Sequence, residues 1–198
     1  MPLASRPLIA PPGGRSYNLH PVTVSLTAAK TLFASDRFSL VEEGFATPDG
    51  AVTRAVIHHP GAVAVVAEPS PGSLLMVRQY RYPVRRETLE IPAGTRVVGE
   101  APERTAAREL QEEAGFLPGR LVEWCRFLPA AGVSDEEMIL YRATGLTPTA
   151  AAPEHGELVA PEVITRAQVP GLIANGLIAD AKTLIALALL GWWPEAHS

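Results

Sequence analysis

Cysteine is nearly absent. Cys125 is the single one in 198 residues, so no disulfide can form within the chain, and a reducing setting, the cytoplasm, is expected. No run of basic residues occurs either. With 17 Lys and Arg against 21 Asp and Glu, the net charge is −4, which argues against a nucleic-acid backbone as partner. Long apolar runs are also missing. The most apolar stretch, residues 183–193, has about eleven residues, too few to span a bilayer, and reads as a buried C-terminal helix. The first residues show neither a basic segment followed by an apolar core nor a cleavage site, so no secretory signal is expected.

What is present is a soluble globular composition, 47% hydrophobic and 19% charged, in a length that suits one domain, or one domain with a small extension. Residues 1–20 are rich in Pro, Gly and Ser and predict a loosely ordered arm. Residues 37–42 (RFSLVE) and 51–58 (AVTRAVIH) read as strands joined by a Thr47-Pro48-Asp49-Gly50 turn. Such a hairpin is not stable alone and must pack on the main domain or on a second subunit.

Further strands are expected at residues 61–68, 74–80, 87–92, 121–128, 137–143 and 161–165. Residues 148–160 lack periodicity and form a loop long enough to suspect function. Residues 166–175 and 179–193 read as helices. Strands around a central helix, with helices at the end, predict an α/β sandwich. The regular β-α alternation of a doubly wound sheet is absent.

The central helix belongs to residues 94–116, GTRVVGEAPERTAARELQEEAGF. Pro102 suits the first helical turn, and Gly115 suits a left-handed C-terminal cap. At 100° per residue, Ala106, Leu110 and Ala114 make an apolar stripe, with Glu109 and Glu113 one turn apart beside it and Glu112 further round the same side. No cation follows these glutamates at i+4 to relieve their repulsion. A hard divalent cation, which prefers carboxylate oxygens and water, is the physical remedy.

A solvated acidic helix face would carry the same three glutamates, but not the same glycine and arginine positions. Gly94, Glu100, Arg108-Glu109, Glu112-Glu113 and Gly115, with apolar Leu110 and Phe116, reproduce without a gap a pattern that resembles the signature of the Nudix hydrolases. At ordinary residue frequencies a chance match arises about once in 10⁹ starts. The flanking stretches at residues 59–63 (HPGAV), 77–83 (VRQYRYP), 89–94 (LEIPAG) and 180–183 (DAKT) resemble the ADP-ribose pyrophosphatase branch.

The resemblance implies a Nudix-type α/β/α sandwich with a mixed sheet over residues 59–198. Before it, residues 1–58 would hold the arm and a β-hairpin subdomain that dimerises, giving a homodimer. It implies a pyrophosphohydrolase that cleaves ADP-ribose to AMP and ribose 5-phosphate with Mg²⁺, or with Mn²⁺ or another divalent ion in its place. The Ala93 carbonyl, Glu109 and Glu113 would bind the metal, and Glu112 would support a second ion. Glu157 would be the general base, with Glu154 as the alternative. Glu100 and Arg108 would pair to hold the loop against the helix, beside the Gly94 turn.

Arg54 and Arg81 are candidates for gripping phosphates or the terminal ribose, since arginine offers a fork of donors. Tyr82 or Tyr80 could stack on adenine. Ala131 stands where the branch usually carries proline, which leaves other nucleotide sugars or nucleoside diphosphate-linked compounds open as substrates. A Nudix domain that binds nucleotide without cleaving it is the third reading.

Overall fold

In the computed structural model, which describes residues 23–153 and 158–194, the first three strands form an antiparallel sheet of their own. They are β1 (Ser25–Ala34), β2 (Ser39–Thr47) and β3 (Gly50–His58), in the order β1-β2-β3. The expected hairpin is β2–β3, and Thr47 Oγ1 closes its turn by donating to the Gly50 carbonyl at 2.8 Å. β1 is a correction to the sequence reading. All ten of its residues are exposed, so no buried face imposes the two-residue alternation that marks a strand.

This sheet joins the rest of the chain at the end of β3. Ile57 bridges Ser134, its N–H donating to the Val133 carbonyl at 2.9 Å. The His58 ring lies between Asp135 at 2.6 Å from Nδ1 and Glu43 at 3.0 Å from Nε2. The Asp135 hydrogen bond, reinforced by Glu43, outweighs partial desolvation and raises the His58 pKa.

The body begins with β4 (Ala62–Ala67), buried along its whole length as an unbroken AVAVVA run predicts. It runs parallel to β10 (Met138–Thr144) and antiparallel to the short β7 (Ala93–Thr95), and β9 (Arg120–Phe127) flanks β10. The sheet is therefore mixed, in the order β7-β4-β10-β9. A second sheet, β12-β5-β6, is antiparallel and built from β5 (Ser73–Arg81), β6 (Arg86–Glu90) and β12 (Val159–Thr165). Two-residue strands β8 (Phe116–Leu117) and β11 (Thr147–Pro148) pair beside them.

The alternation of side chains along β4 and β5 makes two cores. Val63 and Val65, with Leu75 and Val77, pack under α1 (Pro102–Ala114) through Ala106 and Leu110. Ala64 and Val66, with Leu74 and Met76, pack on the opposite side with Val169 of α2 (Val169–Ala174) and Leu187 of α3 (Ala181–Leu189). Helix, sheet and helix thus form three layers, the α/β sandwich expected.

The predicted helix at residues 166–175 starts as a 3-10 turn, Arg166–Gln168, before α2. The helix predicted over residues 179–193 is shorter in the structure. Asp180 caps its start by accepting from the Thr183 N–H at 3.1 Å, and Gly191 adopts a left-handed φ of 68° just past its end. No helix among the described residues is long and apolar enough to cross a membrane.

Candidate active site

α1 starts at Pro102 and stops at Gly115, whose φ of 71° places it in the left-handed region and whose N–H donates to the Gln111 carbonyl at 2.9 Å. With Ala106, Leu110 and Ala114 buried against the strands, the rotation of the helix is set. That rotation turns Glu109, Glu112 and Glu113 toward the Ala93-Gly94 corner, where a cavity of about 650 Å³ opens. Gln79 and Arg81 of β5, Arg96, Arg108, and Asp36 and Arg37 from the turn between β1 and β2 complete its charged and polar wall.

Glu113 is 4% exposed and accepts a hydrogen bond from the Ala93 N–H at 2.9 Å. The Glu109 carboxylate lies so close over Gly94 that any Cβ there would overlap it. Glycine at this corner is what lets Glu109 keep that position, although the backbone of Gly94 is not left-handed. Glu112 is paired with Arg108, Nη1 to Oε2 at 2.7 Å, and Arg108 Nη2 reaches Glu109 Oε1 at 2.7 Å.

Arg108 corrects the expectation of unrelieved repulsion. The cation precedes the glutamates rather than following them, and Arg108–Glu112 is itself an i,i+4 pair. Partial burial works against the guanidinium charge, but Glu109 and Glu112 outweigh it and raise its pKa. The expected Glu100–Arg108 pair is present only at its outer limit, 4.0 Å. Glu100 instead accepts from Thr105 Oγ1 at 2.9 Å.

Arg81 lines the cavity while its fork holds Glu90, Nε to Oε1 at 2.9 Å and Nη2 to Oε2 at 2.6 Å. Glu90 is 2% exposed and also accepts from Thr88 Oγ1 at 2.6 Å and from Lys182. Burial alone would push the Glu90 carboxyl up, but Arg81 and Lys182 outweigh it and bring its pKa down to about 2. Lys182 in turn donates to Asp180 at 2.9 Å. Two neighbouring motifs and a third about 90 residues further on thereby meet at one carboxylate.

Other predicted residues lie elsewhere. Arg54 is exposed on β3, opposite Glu43, with Nη1 donating to the Thr53 carbonyl at 2.9 Å, and it does not line the cavity of its own chain. Tyr82 is 65% exposed and meets Tyr80 edge-on at 5.3 Å, also outside the cavity. Glu154 and Glu157 lie outside the described residues. The described start of their loop is tied to α1, with the Ala152 N–H donating to the Glu112 carbonyl at 2.9 Å. Ala131 is exposed and lines no part of the cavity.

Asp36, Arg37, Gln79 and Arg96 are cavity residues that the sequence reading missed. Arg96 stands inside the signature loop, and a positional rule for that loop would have found it. Nothing local marks Asp36 and Arg37, because their placement depends on how the first sheet docks.

Glu109, Glu112, Glu113 and the Ala93 carbonyl offer oxygen donors of the kind a hard divalent cation takes, and Gly94 leaves room for the Glu109 carboxylate. Among the described residues no three acidic, His or Cys groups are already drawn into a cation cage. Arg108 holds two of the carboxylates. The donor set fits such an ion.

The chain resembles known proteins over most of its length. The NUDIX domain family profile matches residues 57–187. An ADP-ribose pyrophosphatase of Bacillus subtilis (strain 168) is 35% identical over 166 residues, covering 82% of this chain and 90% of the relative. Another, from Mycobacterium tuberculosis, is 40% identical over 132 residues, covering 66% and 64%. A crystal structure described as an ADP compounds hydrolase superposes with a TM-score of 0.72 at 22% identity, covering 86% of this chain and 93% of its own, a likeness of fold.

Proposed function

The chain belongs to the NUDIX family, and we propose that it hydrolyses ADP-ribose to AMP and ribose 5-phosphate. The observation that carries this reading is the signature's three glutamates facing one cavity with Arg37, Arg81, Arg96 and Arg108, a wall suited to a metal-bound diphosphate. The relatives named ADP-ribose pyrophosphatase support ADP-ribose as the substrate.

Glu109, Glu113 and the Ala93 carbonyl would hold Mg²⁺, or another divalent ion, and Glu112 would support a second. Such ions, when bound, neutralise phosphate oxygens and align the attacking water. Glu113 is oriented for this by the Ala93 N–H, and Arg108 keeps Glu109 and Glu112 on the cavity side of the helix. Arg81, fixed by Glu90, presents its remaining donor face to phosphate or ribose oxygens. Glu157, with Glu154 as the alternative, takes the proton from the water as the new P–O bond forms and the diphosphate bridge breaks.

A homodimer follows from the same reading. β1 exposes Leu26, Leu32 and Phe33, each about half accessible, along a sheet edge that a second copy could cover. Arg54 would then serve a neighbouring site instead of its own. The single cysteine supports a cytoplasmic setting.

Product analysis with Mg²⁺ on ADP-ribose, ADP-glucose, GDP-mannose, NADH and a diadenosine polyphosphate tests the substrate. Strong preference for ADP-ribose with AMP as product is expected. Preference for another compound keeps the chemistry and replaces the substrate. Tight binding without turnover of any compound favours a binding domain. Glu109→Gln and Glu113→Gln are expected to abolish turnover, and unchanged turnover would remove them as metal ligands.

A further inference from the structure

Nine polar or charged residues among those described are buried. Eight have a hydrogen-bond partner for the buried side chain, as Thr88 has Glu90, Thr105 has Glu100, Thr183 has the Ile91 N–H and Glu113 has the Ala93 N–H. Among these nine the exception is Gln79; outside them Arg96 Nε, Tyr141 Oη and Asp180 Oδ1 are likewise buried without a partner. Gln79 is 7% exposed, and its amide Nε2 is fully buried with no partner. Leaving a buried donor unpaired forfeits the whole cost of its desolvation.

Gln79 cannot turn away from this position. β5 is the central strand of its sheet, and Gln79 is in register with Thr88 on one side and Val159 on the other. The pleat puts it on the same face as Leu75 and Val77, which are buried under α1. An apolar side chain would continue that stripe without penalty. Gln79 instead ends it where the strand runs into the cavity, one pleat before Arg81.

We propose that Gln79 is a substrate-binding residue, its side-chain amide turning toward the cavity so that the N–H donates to an oxygen acceptor in the diphosphate–ribose portion of the bound nucleotide. The inference rests on the ADP-ribose reading. Guanidinium groups already supply charge in the cavity. A neutral donor at a fixed point adds direction, discriminating substrates by where an oxygen falls rather than by total charge.

The test uses the full chain with Gln79→Met, which keeps volume and shape but removes the donor, and Gln79→Leu as a second variant. Melting temperature, KM and kcat for ADP-ribose are measured with Mg²⁺, and ADP-ribose binding is measured by calorimetry without added metal. An unchanged or raised melting temperature is expected, together with a KM and a dissociation constant each about tenfold higher. A lowered melting temperature with unchanged affinity would make Gln79 structural and overturn the inference. So would unchanged stability with unchanged affinity. If the wild type binds ADP-ribose but does not cleave it, the hydrolase reading fails, while the binding comparison still decides the role of Gln79.

Discussion

Arg81 grips Glu90 with two parallel hydrogen bonds, of 2.9 and 2.6 Å, from a position that also borders the cavity. The carboxylate is almost wholly buried and has a second cation, Lys182, behind it. The Arg81 side chain is therefore aimed by groups that never reach the cavity. A buried charge with its partners removed is far costlier than one fully paired.

Replacing Glu90 by Gln leaves Lys182 with Asp180 alone and frees the Arg81 fork. A loss of about 3 kcal/mol in unfolding free energy is expected, read from urea denaturation. Because the Glu90 pKa is depressed from 4.5 to about 2, its contribution is present above the unfolded value and disappears as pH falls through about 2. The stability gap between wild type and Glu90→Gln should therefore close in acid.

Gly94→Ala should act on Glu109 rather than on the backbone of β7. The added methyl overlaps the Glu109 carboxylate, which must leave its present position. Because only the end of a flexible side chain has to move, little loss of stability is expected, against a fall in kcat of about 100-fold. Steady-state kinetics and thermal unfolding on the same preparation separate the two.

His58 ties the first sheet to the body through Glu43 and Asp135, and its pKa is raised above 6.5. The clamp is complete below the unfolded value, where the ring is protonated in both states, and is lost as pH rises through the folded value. The melting temperature of the wild type should drop across that range relative to His58→Gln, which has no proton to lose there. Parallel curves for the two proteins would refute this.

Glu157→Gln is expected to lower kcat by about 100-fold with little change in KM, as removal of a general base does. A mild effect there with a severe one from Glu154→Gln would transfer the role.

Much of the site was legible because its determinants are local. A helix bounded by Pro102 and Gly115, with Ala106, Leu110 and Ala114 on one stripe, specifies where Glu109, Glu112 and Glu113 point before any tertiary contact forms. Arg108 was legible in position but misread in role. Helical neighbours extend in both directions, and the relieving cation precedes the glutamates instead of following them. β1 escaped because an exposed strand has no buried face to stamp a period on its sequence.

By itself, then, the sequence determined the family and the layered fold, since these follow from the spacing of the signature along one helix and from apolar runs in single strands. Only the tertiary structure decided that Arg81 answers to Glu90 and Lys182, that Arg54 and Tyr82 stand away from the cavity while Arg37 borders it, and that Gln79 has a buried donor with nothing to bond. The reason is the same in each case. These relationships join residues from different strands and sheets, and no periodicity within a segment encodes which side chains another segment will bring to meet it.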